Sequence, residues 1–374
     1  MNAVDQARNL YDDLAAIGAA TEPGESFDPK AFDLIAEAGL NGVAVPAAVG
    51  GADLPLAEAV DVWAELARAD ASIGWCAFAA DSALAYFAAY LPDEGVEIIT
   101  AGHADGTLPV VAGQFAPNGA AELDGEDWVL SGDYQFGSGI LLAEFAGAGF
   151  FASRPGTENP DYLMGCFPSA EIDKRGNWDV LGLRATQSID YGVSGVHVPE
   201  VCAFDFFAPT VHRGSAKHRL GVLPLTAAGH AGWALGVARR MLDELIELAR
   251  TKVRMGAMNS LADSEYFQIN LARLESRHRA ARAWVAEVCA EAEAECEASG
   301  DFVSVPMANL VRQACVHANR DSVELAREAY SLAGTSALRD GALQRCFRDL
   351  HAGGQHYFAS DAPSVEFAQG LLSD

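Results

Sequence analysis

The spacing of apolar residues changes twice along this chain, and that order excludes most fold classes. Up to about residue 101 apolar positions recur at three- and four-residue steps, as in Ala57, Val60, Trp63, Ala64 and Ala67, which predicts helices. Across residues 107–207 the texture becomes short apolar or alternating runs, 108–111, 128–130, 145–152 and 193–198, bounded by Gly, Asn, Asp and Pro. These read as strands and turns. Beyond Pro209 the helical period returns. Leu235, Ala238, Leu242, Leu245, Ile246 and Ala249 form one stripe, and Leu271, Leu274, His278, Ala281 and Trp284 another. An α+β chain follows, with helical segments flanking a small β domain and boundaries expected at 1–105, 106–208 and 209–374.

Composition narrows the function. A net charge of -27, with lysine only at 30, 174, 217 and 252, argues against nucleic acids and anionic membranes as partners. The longest apolar stretch, residues 73–91, is interrupted by Asp81 and Ser82 and reads as a buried helix rather than a membrane span. Seven scattered cysteines without a CxxC pair suit reduced, buried thiols. The opening MNAVDQARNLYDDL places acids where an export signal would carry positive charge, so a cytoplasmic location is expected. The segment 286–299, acidic and alanine-rich, is expected to be solvated.

Four stretches in order, GLNGVAVPAAVGGADLPLAEAVDVWAELARADASIGW, DWVLSGDYQFGSG, LGLRATQSIDYGVSGVHVPE and LQRCFRDLHAGGQH, resemble the acyl-CoA dehydrogenase superfamily. The resemblance implies an N-terminal helical domain, a middle β-barrel or sandwich, and a C-terminal four-helix bundle. The Phe-Gly-Ser-Gly turn at 136–139 and the ending Arg348-Asp349-Leu350-His351 with His356 look like the branch of two-component flavin-dependent monooxygenases. That branch implies reduced flavin, FMNH2 or FADH2, from a partner flavin reductase. It also implies molecular oxygen, a C4a-hydroperoxide and hydroxylation of a small aromatic or apolar molecule by a homotetramer.

The same resemblance places Ser138 against flavin N5, Phe136 over the ring, and Gln114 and Phe115 at its pyrimidine end. Arg184 and Ser188 would order the adjacent loop or a phosphate. Arg254 is what remains of an adenine-binding Arg-x-Gln-Phe-Gly stretch. The chemistry discriminates between reactions, because an acyl-CoA dehydrogenase needs a carboxylate to remove the α-proton. No acid follows Arg348-Asp349 within residues 350–358, and none lies in 223–230. Histidines occupy that region, and imidazole near neutral pKa suits the proton traffic of a hydroxylase. His356 is the first catalytic candidate, His351 the second and Ser138 the third; no metal site is expected. The alternatives are an FAD-dependent acyl-CoA dehydrogenase with an atypical base, or a non-catalytic member.

Overall fold

The computed structural model describes residues 2–21, 25–103, 107–154, 156, 159–256 and 258–373, so the expected 105/106 boundary lies outside the described residues. The first helical segment comprises α1 (Ala3–Asn9), α2 (Tyr11–Ala20), α3 (Lys30–Glu37), α4 (Leu56–Ala69), α5 (Ala71–Tyr90) and α6 (Asp93–Thr100). Asp70 caps α5, its carboxylate accepting from the N–H groups of Ser72 and Ile73. α5 carries one charged residue, Asp81, is otherwise apolar on nearly every side, and is buried along nearly its whole length. A helix of that kind belongs inside a protein, with neighbours on every face.

The strands are β1 (Val111–Asp124), β2 (Asp127–Gly137), β3 (Phe145–Ser153), β4 (Asp161–Pro168), β5 (Asp173–Gly176), β6 (Ile189–Pro199) and β7 (Ala203–Asp205). They form one sheet in the order β5-β6-β2-β1-β3-β4-β7, antiparallel except for the β1/β3 pair. The expected middle β domain is thus built from a single sheet. It curls over its own core of Trp128, Leu130, Tyr134, Phe150, Phe167 and Tyr191, because the glycine-bearing strands bend far enough to bring Gly165 of β4 against Val198 of β6.

The second helical segment holds α7 (Val222–Thr251), α8 (Glu265–Ser299), α9 (Val305–Ala333), α10 (Ala342–Gly353) and α11 (Ala362–Leu372). The acidic stretch expected to be solvated is only half so. It forms the end of α8, whose inner face buries Val288, Cys289, Ala292 and Cys296; Glu287, Glu291 and Glu297 face outward, whereas Glu293 is half-buried and accepts the Leu56 N–H at 2.9 Å. All seven cysteines are buried and free.

Two buried polar clusters tie the segments together. Lys217, fully buried ahead of α7, donates to Asp53 and to Ser215 Oγ at 3.0 Å, and Ser215 donates to Asp53 at 2.8 Å. Burial alone would raise the Asp53 carboxyl, but the Lys217 ammonium and the Ser215 hydroxyl hold it below the usual range. Asp349 of α10 accepts the Leu183 N–H at 2.6 Å, pinning the bundle to the loop before β6. Burial pushes this carboxyl up to about 7.

Candidate active site

α5, α7, the sheet and the end of the bundle meet around a cavity of about 690 Å³. Helical spacing explains how α5 contributes, since Trp75, Phe78, Ala79 and Ser82 stand at i, i+3, i+4 and i+7 on one face. The first turns of α7 bring Val222, Thr226 and His230 by the same rule. β1 supplies Gln114 and Phe115, the end of β2 supplies Phe136, and the turn after it supplies Ser138. The short turn beyond α10 contributes His356 and Phe358. Phe136 takes a left-handed φ of 62°, rare for an aromatic residue, and remains 59% exposed. Gly353 ends α10 where a Cβ would meet the Trp233 ring at 2.2 Å and the Trp75 ring at 3.0 Å, so no larger residue fits beneath the cavity floor.

Ser138 sits in a chain of hydroxyls whose polarity can be worked out. The indole N–H of Trp75 donates to Ser138 Oγ at 2.9 Å. Thr186 Oγ1 donates to the Leu183 carbonyl at 2.8 Å, which spends its only proton. Ser188, 2.8 Å from Thr186, must therefore donate to it, and Ser138, 2.8 Å from Ser188, must donate to Ser188. Ser138 is left with a free lone pair and no free proton.

The imidazoles are equally defined by their partners. His230 Nδ1 lies 2.8 Å from the Thr226 carbonyl, which can only accept, so Nδ1 carries the proton and Nε2 a bare lone pair. His356 Nδ1 accepts the Phe358 N–H at 3.4 Å, which places the proton of its neutral ring on Nε2. The two rings stack with centroids 4.2 Å apart, and Trp75 meets both edge-on. Burial holds His356 neutral by lowering its pKa to about 4; it drives His230 well below the usual value, with repulsion from His356 adding to the effect. The cavity thus offers one imidazole donor and one imidazole acceptor side by side.

Other expected residues fall elsewhere. His351 does not line the cavity, since its Nδ1 faces the Phe347 carbonyl at 2.7 Å and its ring rests on Phe347. Arg184 reaches toward Asp179 at 3.7 Å, and Arg254 donates to the Leu332 carbonyl at 3.0 Å. Ser188 acts behind Ser138 rather than on the cavity wall. Conversely, the cavity includes Arg312 of α9 and Glu366 of α11, which form an ion pair that no local pattern announces. Glu366 corrects the expectation of an acid-free cavity, although it is held by a guanidinium. Among the described residues no cluster of potential metal ligands occurs.

The fit of a flavin can be judged from the lining itself. Among the described residues Gln114 Oε1 and His230 Nε2 are buried at the cavity without a partner, between aromatic walls. A planar heterocycle with polar edges is what such an arrangement accommodates.

Residues 3–94 match the family described as acyl-CoA dehydrogenase, N-terminal domain, and residues 228–361 the acyl-CoA dehydrogenase, C-terminal domain. Indole-3-acetate monooxygenase of Pseudomonas putida is 31% identical over 324 residues, 85% of this chain and 80% of that protein. The chain belongs to the flavin-dependent monooxygenase branch of the acyl-CoA dehydrogenase superfamily. Another member of this branch, p-hydroxyphenylacetate 3-hydroxylase, oxygenase component, of Acinetobacter baumannii, is 25% identical over 95% of this chain and 85% of its own. The fold is shared with XiaF from Streptomyces sp. in complex with FADH2 and glycerol, at a TM-score of 0.87, 18% identity and coverage of 99% and 94%. It is also shared with TdsC of Paenibacillus sp. A11-2 in complex with FMN and indole, at 0.81, 22% identity and coverage of 99% and 97%.

Proposed function

We propose that this chain is the oxygenase component of a two-component system. In this reading it takes FMNH2 or FADH2 from a separate flavin reductase and hydroxylates a small aromatic molecule with molecular oxygen. Relatives named for indole-3-acetate, p-hydroxyphenylacetate and resorcinol support an aromatic substrate. When bound, reduced flavin supplies the electrons that activate oxygen. The chain's own residues bind, orient and exclude water. Trp75, Phe78 and Phe115 would wall the bound ring, His356 would hold a proton at Nε2 for donation, and His230 Nε2 would accept from a substrate O–H or N–H.

One observation carries the reading, namely the committed proton of Ser138. With the flavin N5 edge against this hydroxyl, as the resemblance implies, a lone pair suits the N–H of reduced flavin and opposes the bare N5 of oxidised flavin. Thr186→Val removes the acceptor that fixes Ser188, and so releases the Ser138 proton. The preference for reduced over oxidised flavin is then expected to fall roughly 3–10-fold, the equivalent of one hydrogen bond. Anaerobic and aerobic fluorescence titrations measure both affinities; an unchanged ratio counts against the N5 contact.

The activity itself is tested by supplying reduced flavin, ¹⁸O₂ and phenols or indoles, then looking for a product heavier by one labelled oxygen. Hydrogen peroxide alone from every aromatic, together with reduction of bound FAD by an acyl-CoA, would overturn the proposal. Glu366 is the feature that could favour such a dehydrogenase, because it is the sole carboxylate on the cavity wall among the described residues. Its pairing with Arg312 leaves it poorly placed to take a carbon-bound proton. No described helix is long and apolar enough to cross a membrane, and the proposed state is a cytoplasmic homotetramer.

A further inference from the structure

We propose that Arg312 is an anion anchor of the cavity and that the aromatic substrate carries a carboxylate. The inference rests on the aromatic-oxygenation reading and deepens it. Arg312 is only 6% exposed. Its Nη1 donates to Glu366 and, at 3.5 Å, to Asn309 Oδ1, whereas Nε and Nη2 are buried with no partner among the described residues. Guanidinium does not lose its proton in a protein, so these atoms keep both charge and hydrogens. Leaving such donors unmet is costly, and it points to a ligand. Nε and Nη2 lie on one edge of the fork, and two parallel N–H groups on one edge match the two oxygens of a carboxylate.

The position of Arg312 indicates which ligand this is. A second cleft, of about 560 Å³, adjoins the cavity, and Arg312, Glu366, Phe206, Phe207, Val222 and Leu223 line both. Ser138, His230 and His356 line the main cavity only. Arg312 therefore stands at the junction, and a ring held beside the imidazoles would extend a short acidic side chain toward it through apolar walls. A flavin phosphate would supply the same anionic chemistry, but a dianion needs several donors, and this junction offers one guanidinium edge. Glu366 balances the charge of Arg312 and, occupying the other side of the fork, repels a second carboxylate.

Matched pairs test this by calorimetry on the full chain with reduced flavin bound under anaerobic conditions. The probes are 4-hydroxyphenylacetate against 4-methylphenol and indole-3-acetate against 3-methylindole, which differ only in the carboxylate. The acid of at least one pair is expected to bind roughly 10–100-fold more tightly, the range for hydrogen bonds to charged groups. Arg312→Gln should bring that ratio to within about threefold while the neutral compound keeps its affinity. Glu366→Gln should widen it by about two- to fivefold. Neutral compounds binding as well as their acids, or an Arg312→Gln variant that loses flavin affinity at an unchanged ratio, would overturn the proposal; the latter would assign the anion to flavin. Should Arg312→Gln not fold, a ratio that stays level or falls in Glu366→Gln has the same force. Tight binding of the neutral compounds with oxygenated product, but no preference for acids, would leave the aromatic oxygenase intact and remove only Arg312. Failure of every aromatic to bind would remove both.

Discussion

His356→Ala is expected to lower hydroxylated product by about 10²–10³-fold while flavin affinity stays within about threefold, because one positioned proton donor is lost and the fold is not. Oxygen should still be consumed and appear as hydrogen peroxide, so the ratio of product to oxygen consumed is the measurement. Loss of product in step with loss of bound flavin would instead mark His356 as a packing residue. The pH dependence is a second check. Because burial lowers this imidazole from about 6.5 to about 4, it stays neutral across pH 5–7 and its contribution to turnover should be flat there. For stability the unfolded chain takes the proton first as pH falls. The destabilising difference is absent above about 6.5, grows between about 6.5 and 4, and is constant below. His356→Gln should make thermal stability fall less steeply than wild type over that window.

Lys217→Ala carries the largest expected loss of stability, about 3 kcal/mol, read as a lowered denaturation midpoint. Removing one member of a buried ion pair leaves the other desolvated and uncompensated. The remaining carboxylate, Asp53, is partly open to water, which keeps the value at the low end of the usual range. Adding Asp53→Asn to Lys217→Ala should recover part of the loss, since no buried charge then remains. A double variant weaker than the single one by the full cost of Asp53→Asn alone would show that the two side chains do not interact.

The order of helical and β segments was legible because periodicity is a local property of tens of residues, and α5 announced its burial through an apolar run in which Asp81 is the single charged residue. Ser138, Phe136, Gln114, Phe115 and His356 could be picked out as candidates because each sits in a short stretch resembling the family, and the structure gathers all five around one cavity. His351 and His356 could not be separated in advance. They are five residues apart, but α10 stops at Gly353, so the first is held on the helix against Phe347 and the second swings beyond its end to the cavity. The Arg312–Glu366 pair was beyond reach for a different reason. Its members come from separate helices and face a cavity whose other walls lie far away in sequence, and only packing brings them together.

The bond from Leu183 to Asp349 has a practical consequence for anyone dissecting or recombining this enzyme. Leu183 receives Thr186, Thr186 orients Ser188, and Ser188 orients Ser138, so the serine's aim is inherited from a carboxyl on α10, in the second helical segment. A sheet excised alone, or grafted onto a foreign bundle lacking that acid, would keep the serine in its sequence yet forfeit its bearing.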